Sequence, residues 1–240
     1  MMEINIKELM KKKRLDEPVF LARAARMVFD GAWVNLGFGM TSFISTYTPP
    51  DQVVHYYSEN GLYNYGPALG VEDYKELGNH DFGDTPGLYL TPLPGVAFSD
   101  LFVAMLAVQK VDFTFLGFLQ VSEKGDLANF MRIPVGDLDW RARQITNVGG
   151  GNDMVLRAKR VVVVGTHIGG KGQIKILNKC TYPLTGAECV NTIITDIALI
   201  EVTKEGLVLK EIAPGWTVEE VQALTEPKLI VAPDLKEVTV

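Results

Sequence analysis

Ser58-Glu59-Asn60-Gly61-Leu62 puts a single carboxylate where an apolar strand pattern breaks into a glycine-punctuated loop. Val53-Val54-His55-Tyr56-Tyr57 reads as a short strand and Asn60-Gly61 is a turn dipeptide. Glu59 is therefore expected at a strand end, where α/β folds place their chemistry. A glutamate of ordinary pKa, about 4.3, is ionised at neutral pH and attacks an activated acyl group without a general base. The same five residues also fit a plain strand and turn carrying a solvated acid, and the pattern by itself leaves both readings open.

Gly149-Gly150-Gly151 precedes Asn152-Asp153 and a helical pattern. Glycines at a helix start expose backbone N–H groups that can hold a developing oxyanion, and a flexible connection is the plain alternative. Gly37-Phe38-Gly39 begins like a dinucleotide fingerprint, but the sixth position is Ser42, so turn geometry is the better reading. Gly169-Gly170-Lys171-Gly172 lacks the spacing of a phosphate loop, residue 173 being Gln, and reads as a hairpin turn carrying an exposed lysine. His167 has no Ser or Cys partner in a recognised arrangement and reads as a satisfied structural histidine. His55, His80, His167, Cys180 and Cys189 have no zinc-ligand spacing; no metal is expected, and the two cysteines are expected as free thiols.

The elements that must position these groups fit one large α/β domain, with 240 residues and 47% hydrophobic content. A net charge of −6 argues against nucleic-acid binding. Lys11-Lys12-Lys13-Arg14, the only dense basic run, falls in what reads as a short polar helix with a solvated face. No apolar stretch approaches the ~20 residues that span a bilayer, and Met1-Met2-Glu3-Ile4-Asn5 lacks a signal-peptide core, so a cytoplasmic protein is expected.

Helical periodicity runs over 17–30 up to Gly31, with a strand at Trp33-Val34-Asn35-Leu36 and a helix opening at Thr41. Residues 66–86 read as a functional or interface loop. Further elements are a helix over 99–108, a strand over 112–117, a helix over 153–159 and the β-branched strand Arg160–Gly165. Strands follow near 175–177, 189–194, 197–202 and 207–212, with a last helix at 217–224. The alternation predicts a mainly parallel sheet covered by helices, with a strand-rich C-terminal part.

Several of these pieces together resemble the β subunit of a family I coenzyme A transferase of the 3-oxoacid type. Val34-Asn35-Leu36-Gly37-Phe38-Gly39 resembles that family's early glycine loop, and Ser58-Glu59-Asn60-Gly61-Leu62 with Gly66-Pro67 its S-E-N-G-L…G-P signature. Leu116-Gly117, Gln120-Val121-Ser122 and Gly125-Asp126-Leu127-Ala128-Asn129 resemble its L-G-x-x-Q-V…G-D-L-A-N stretch. Gly149 to Asp153 stands where the family has G-G-A-M-D, and Lys179-Cys180-Thr181, Pro183-Leu184-Thr185-Gly186, Ile194-Thr195-Asp196 and Gly206-Leu207 continue the match to Ala213-Pro214-Gly215. Thr41 stands where the glycine loop usually ends in proline, Val108-Gln109-Lys110 replaces R-G-G-H, and the A-G-K lysine after Asn79 is missing.

The resemblance covers roughly 17–225, with 1–16 as an N-terminal extension and 226–240 as a tail. It implies Glu59 as the catalytic nucleophile and the Gly150 N–H as an oxyanion donor. Contacts to CoA and substrate are implied for Asn35, Gly37, Gly39, Asn60, Gly61, Gln120, Gly149 and Gly151. It further implies ping-pong transfer of CoA from an acyl-CoA to a short-chain or 3-oxo acid through a glutamyl-CoA thioester. The CoA thioester is a substrate, and no cofactor or metal is needed. An α subunit is expected as partner, in an α2β2 assembly, because the chain carries no second half of its own. The loop 63–86 with Tyr63, Tyr65, Tyr74, Phe82 and nearby Tyr57 is expected to cover part of the joint cleft. An acyl-CoA hydrolase on the same scaffold and a non-catalytic partner subunit are the alternatives.

Overall fold

The computed structural model describes residues 5–37, 39–57, 62–68, 90–98, 111–133 and 150–239, with 62–64, 67, 68 and 90–98 described as backbone alone. Glu59, Asn60, Gly61 and Gly149 lie outside the described residues, as does the helix expected over 99–108. In chain order the elements are α1 (Ile6–Leu9), α2 (Glu17–Ala25), β1 (Trp33–Leu36), a 3-10 helix (Gly39–Tyr47), β2 (His55–Tyr57), β3 (Leu62–Ala68), β4 (Leu90–Phe98) and β5 (Phe113–Leu116). Then come β6 (Gln120–Ser122), β7 (Leu127–Ala128), α3 (Gly151–Arg157), β8 (Arg160–Gly165), β9 (Ile176–Leu177), β10 (Thr192–Thr195), β11 (Ala198–Thr203), β12 (Gly206–Ile212), α4 (Val218–Ala223) and β13 (Leu229–Glu237).

The chain divides into two compact units, one of residues 21–117 and 149–161, the other of residues 1–20, 118–148 and 162–240. In the first, the strands are ordered β5-β1-β2-β3-β4, with β1 parallel to both β5 and β2 and the last two strands antiparallel. The C-terminal ends of β5, β1 and β2 thus share one edge of the sheet. In the second unit the order is β13-β12-β11-β10-β8, with β8–β10 and β12–β13 parallel, and a small sheet β7-β6-β9 lies apart in the pairing. The α/β fold expected from the alternation is present, including the strand-rich C-terminal part.

Local sequence explains most of these elements. Val161 to Val164 are all buried, as a β-branched run must be when covered on both faces. Leu207, Leu209 and Glu211 form the buried face of β12 at a period of two. Thr217 and Glu220 form a capping box at the start of α4, each side chain bonding the other's backbone N–H. Helix α2 stops at Ala25 although the periodicity runs to Asp30, because the chain tightens there into i→i−3 bonds, Met27 N–H to Ala24 O and Val28 N–H to Ala25 O, both 3.1 Å.

Strands β3 and β4 correct the reading of Gly66 onward as loop, since β3 extends to Ala68. Gly66, Pro67, Pro92 and Pro94 are breakers in a sequence pattern, but here they fall where the β3–β4 register shifts and on the edge strand, which tolerate them. Tyr65, expected on an interface loop, is instead a buried strand residue that stacks on Tyr56 with ring centroids 5.7 Å apart, and nearby Tyr57, in a strand as expected, is buried too. Tyr74 and Phe82 lie outside the described residues.

The basic run is also not simply a solvated face. Lys12 Nζ pairs with Glu220 Oε1 at 2.6 Å, Arg14 Nη1 with Asp196 Oδ2 at 3.1 Å, and both cations lie over the Trp216 ring. Trp216 in turn donates its indole N–H to Lys13 O at 2.8 Å, so the N-terminal segment is fastened to the C-terminal one.

His167 is fully buried in the second unit, with Nδ1 3.0 Å from Thr195 Oγ1 and Nε2 2.9 Å from Thr225 Oγ1. A neutral ring satisfies both contacts. Burial, assisted by Arg14 and Lys175, pulls its pKa down to about 3. Between that value and the ordinary ~6.5 the unfolded chain binds a proton that the folded chain refuses, so this contribution to stability is intact above pH 6.5 and is lost as pH falls. His167→Asn should flatten the pH dependence of unfolding free energy between pH 6.5 and 4.5 by up to about 1.4 kcal/mol per pH unit, measured by denaturant titration. An unchanged slope in the variant would show that the histidine is not held neutral.

Candidate functional site

Asn35 sits in the middle of the parallel trio, in register with Tyr57 on β2 and Thr114 on β5. Its buried amide joins the two neighbours: Thr114 Oγ1 donates to Asn35 Oδ1 at 2.9 Å, and Asn35 Nδ2 donates to Tyr57 O at 3.4 Å. Tyr57 is the last residue of β2, immediately ahead of the 58–61 segment. Its hydroxyl donates to Met154 Sδ at 3.6 Å, and Tyr57, Val111 and Met154 form one buried cluster with Trp33 and Ala158 packed against it. Burial, with Asp112 adding to it, pushes the Tyr57 phenol well above its ordinary range, so it remains a neutral donor.

Met154 belongs to α3, and its N–H donates to Gly150 O at 3.0 Å, one helical turn away. Gly150 is the N-cap of that helix at φ −78° and ψ 4°, and Gly151 is its first residue. Past the other end of α3, Asp112 joins β1 to the segment leading into β8: its Oδ2 accepts the Trp33 N–H at 2.9 Å and its Oδ1 meets Lys159 Nζ at 2.8 Å. The end of β2 and the start of α3 are thus tied through Tyr57 and Met154, a link with no sequence signature because a tyrosine and a methionine at apolar positions look like ordinary core.

The first glycine loop follows β1 at the same sheet edge. Gly37 N–H extends the pairing to Phe115 O at 2.8 Å, and a Cβ at Gly37 would lie 3.1 Å from both Phe115 O and the Leu116 side chain. Gly39 has φ +76°, a conformation that favours glycine. The hydroxyls of Thr41 and Ser42 both donate to Gly37 O at 2.9 Å. Thr41, standing where the glycine loop of the family usually ends in proline, therefore closes the turn with a hydrogen bond instead of a ring.

Gln120 is in the other unit, on β6. Its Oε1 accepts the N–H groups of Thr181 and Tyr182 at 2.8 and 3.1 Å, and its Nε2 donates to Thr181 Oγ1 at 2.9 Å. The amide expected to contact CoA is engaged with its own protein. Cys180 and Cys189 are free thiols, half-buried, and burial raises their pKa values to about 12 and about 11, so neither is a ready nucleophile. Among the described residues no group of His, Cys, Asp or Glu could hold a metal ion, and no helix is long and apolar enough to cross a membrane.

A family model described as coenzyme A transferase matches residues 20–224. The chain belongs to this family. Within it, the chain is of the β type: it is 36% identical over 211 residues to the β subunit of a probable coenzyme A transferase of Bacillus subtilis, covering 86% of this chain and 91% of that one. It is 39% identical over 226 residues to the B subunit of the 3-oxoadipate CoA-transferase of Acinetobacter baylyi, covering 92% of this chain and 98% of the relative. The fold matches an acyl-CoA transferase from Escherichia coli O157:H7 with TM-score 0.68 and 16% identity, over all of this chain and 44% of that one.

Proposed function

We propose that this CoA-transferase β subunit works with an α subunit, as an α2β2 assembly in the cytoplasm, to move CoA between an acyl-CoA and a short-chain or 3-oxo acid. The observation that carries the reading is the 39% identity, over nearly the whole of both chains, to the B subunit of a 3-oxoadipate CoA-transferase. The missing lysine after Asn79 gives a reason for this chain's acid preference to differ from that of the 3-oxoacid type.

In this reading a Glu59 carboxylate oxygen attacks the acyl-CoA carbonyl, the C–S bond breaks, and the CoA thiolate leaves, giving a mixed anhydride. The thiolate then attacks the glutamyl carbonyl and expels the donor acid, leaving a Glu59-CoA thioester. An acceptor carboxylate reverses the sequence: it attacks the thioester, releases thiolate, and the thiolate takes the new acyl group from the anhydride, restoring the Glu59 carboxylate. A thiol of ordinary pKa, about 8.5, gives a good leaving group, and each step only exchanges acyl bonds. Both intermediates hydrolyse if water reaches them. The N–H of Gly150 is assigned to the developing oxyanion, while Tyr57 and Met154 tie the end of β2 to α3 and Asn35 ties β2 to β5.

Mixed with its α partner, the chain should release CoA from acyl-CoA only when an acceptor carboxylate is added, and the chain alone at high dilution should be inactive. A panel of acyl-CoA donors against acetate, butyrate, succinate, acetoacetate and 3-oxoadipate, followed by thiol release and product chromatography, measures this. Acceptor-independent CoA release would establish the hydrolase reading instead, and full transferase activity from the single chain would overturn the α-subunit requirement.

A further inference from the structure

A cavity of 370 Å³ opens in the second unit, lined among others by Phe118, Arg132, Lys171, Gln173, Lys175 and Tyr182. Among the described residues that line it, three are cations and none is a carboxylate, in a chain whose net charge is −6. Lys175 is the most buried of the three. Its Nζ donates to Thr166 O at 2.9 Å and sits 3.7 Å from the centroid of the Phe118 ring. It makes no ion pair among the described residues. Asp196, the carboxylate that acts on it electrostatically, is already committed: Oδ2 accepts from Arg14 at 3.1 Å and Oδ1 accepts the His167 N–H at 2.7 Å.

Among the described residues the ammonium of Lys175 is therefore met by a carbonyl and a ring face rather than by a paired carboxylate, and burial pulls its pKa down to about 8, with Asp196 opposing and Arg132 adding to the shift. Lys171 shows a second cost. It adopts φ +60° between Gly170 and Gly172, where a non-glycine residue is uncommon, in a turn closed by Gly169 N–H to Gln173 O at 2.7 Å. A cation that is buried and outside any ion pair among the described residues lines the same cavity as a lysine presented from a left-handed turn, and an anion seated there would compensate the charge of both.

We propose that this pocket is a phosphate site and that the phosphates on the nucleotide end of CoA are the ligand it takes. The identity of the ligand rests on the function proposed above; the preference for phosphate does not. A phosphate carries up to two charges and three acceptor oxygens, matching a planar guanidinium fork and two ammonium groups. The cavity is larger than a bare carboxylate needs and lies in the range of small-molecule sites, about 300–1,000 Å³. Gly169 to Gly172 lack the spacing of a backbone phosphate loop, so the recognition is assigned to the cationic side chains.

The test is calorimetric titration of the chain assembled with its α partner, using CoA, dephospho-CoA and inorganic phosphate, on the wild type and on Arg132→Gln, Lys171→Gly and Lys175→Met. The wild type should favour CoA over dephospho-CoA, and Arg132→Gln and Lys175→Met should each weaken CoA at least about tenfold and erase that preference. Lys171→Gly keeps the left-handed turn and removes the charge, and should weaken CoA more modestly. If Lys175→Met fails to fold, the two variants at exposed positions decide. Unchanged CoA affinity in Arg132→Gln and Lys171→Gly would overturn the site while leaving the transferase reading intact. Failure of the wild type to bind CoA, with inorganic phosphate binding that Arg132→Gln abolishes, would uphold the phosphate site and overturn both CoA as its ligand and the transferase reading.

Discussion

Incubation of the assembled enzyme with acyl-CoA and no acceptor should leave CoA covalently attached to the Glu59 side chain. The departing thiolate recaptures the mixed anhydride, and without an acceptor acid the resulting thioester has no productive exit. Borohydride under mild conditions reduces a thioester and spares a free carboxylate. Treatment during turnover should therefore inactivate the enzyme and lower the mass of the Glu59 peptide by about 14 Da, the difference between a carboxyl and an alcohol, as covalent catalysis requires. Glu59→Gln should abolish exchange, a loss of many orders of magnitude, while retaining CoA binding, because the amide keeps the shape and lacks the nucleophile. If Glu59 only positioned water, peptide mass spectrometry would find no adduct, borohydride would be harmless, and acyl-CoA would be hydrolysed without an acceptor.

The next largest effect is expected at Gly150. Removing one oxyanion donor typically costs about 3 to 4 kcal/mol of transition-state stabilisation, so Gly150→Pro should lower turnover by at least about a hundredfold. The observed φ of −78° is one that proline adopts, so that torsion does not oppose the substitution that deletes the N–H. Gly150→Ala retains the N–H and controls for the added bulk. A donor that acts only in the transition state predicts equal falls in kcat and kcat/KM with CoA affinity unchanged. Near-normal turnover in a folded proline variant, or an equal loss in the alanine variant, would exclude the assignment.

Much of the architecture was legible from the chain because short apolar runs and breakers act locally. The limits of β1 and β8 coincide with the sequence reading, and α3, α4, β10, β11 and β12 lie within a few residues of it. Where glycine and proline meet strands, the same logic misled: β3 and β4 form because the register shifts around Tyr65 and Ala68, and only the neighbouring strand decides whether a breaker is tolerated. Strand β13 was hidden for a related reason, since Pro233 sits in the part of it where the pairing with β12 shifts between Leu209 and Glu211.

The chemistry divides in the same way. Ordered motifs between Val34 and Gly215 were enough to resemble a family, and the family match across residues 20–224 agrees, because a nucleophile and its glycine loops must keep type and order along the chain. What the sequence could not express is pairing at a distance. Asn35 joins β2 to β5, Tyr57 reaches Met154 across 97 positions, and Gln120 turns inward to hold 181 and 182. The pocket around Lys175 collects cations from positions 132, 171 and 175, one of them held in a left-handed turn. Each is an ordinary residue in the linear pattern; burial and the choice of hydrogen-bond partner, which only the tertiary structure fixes, decide which of them position the site and which hold the fold.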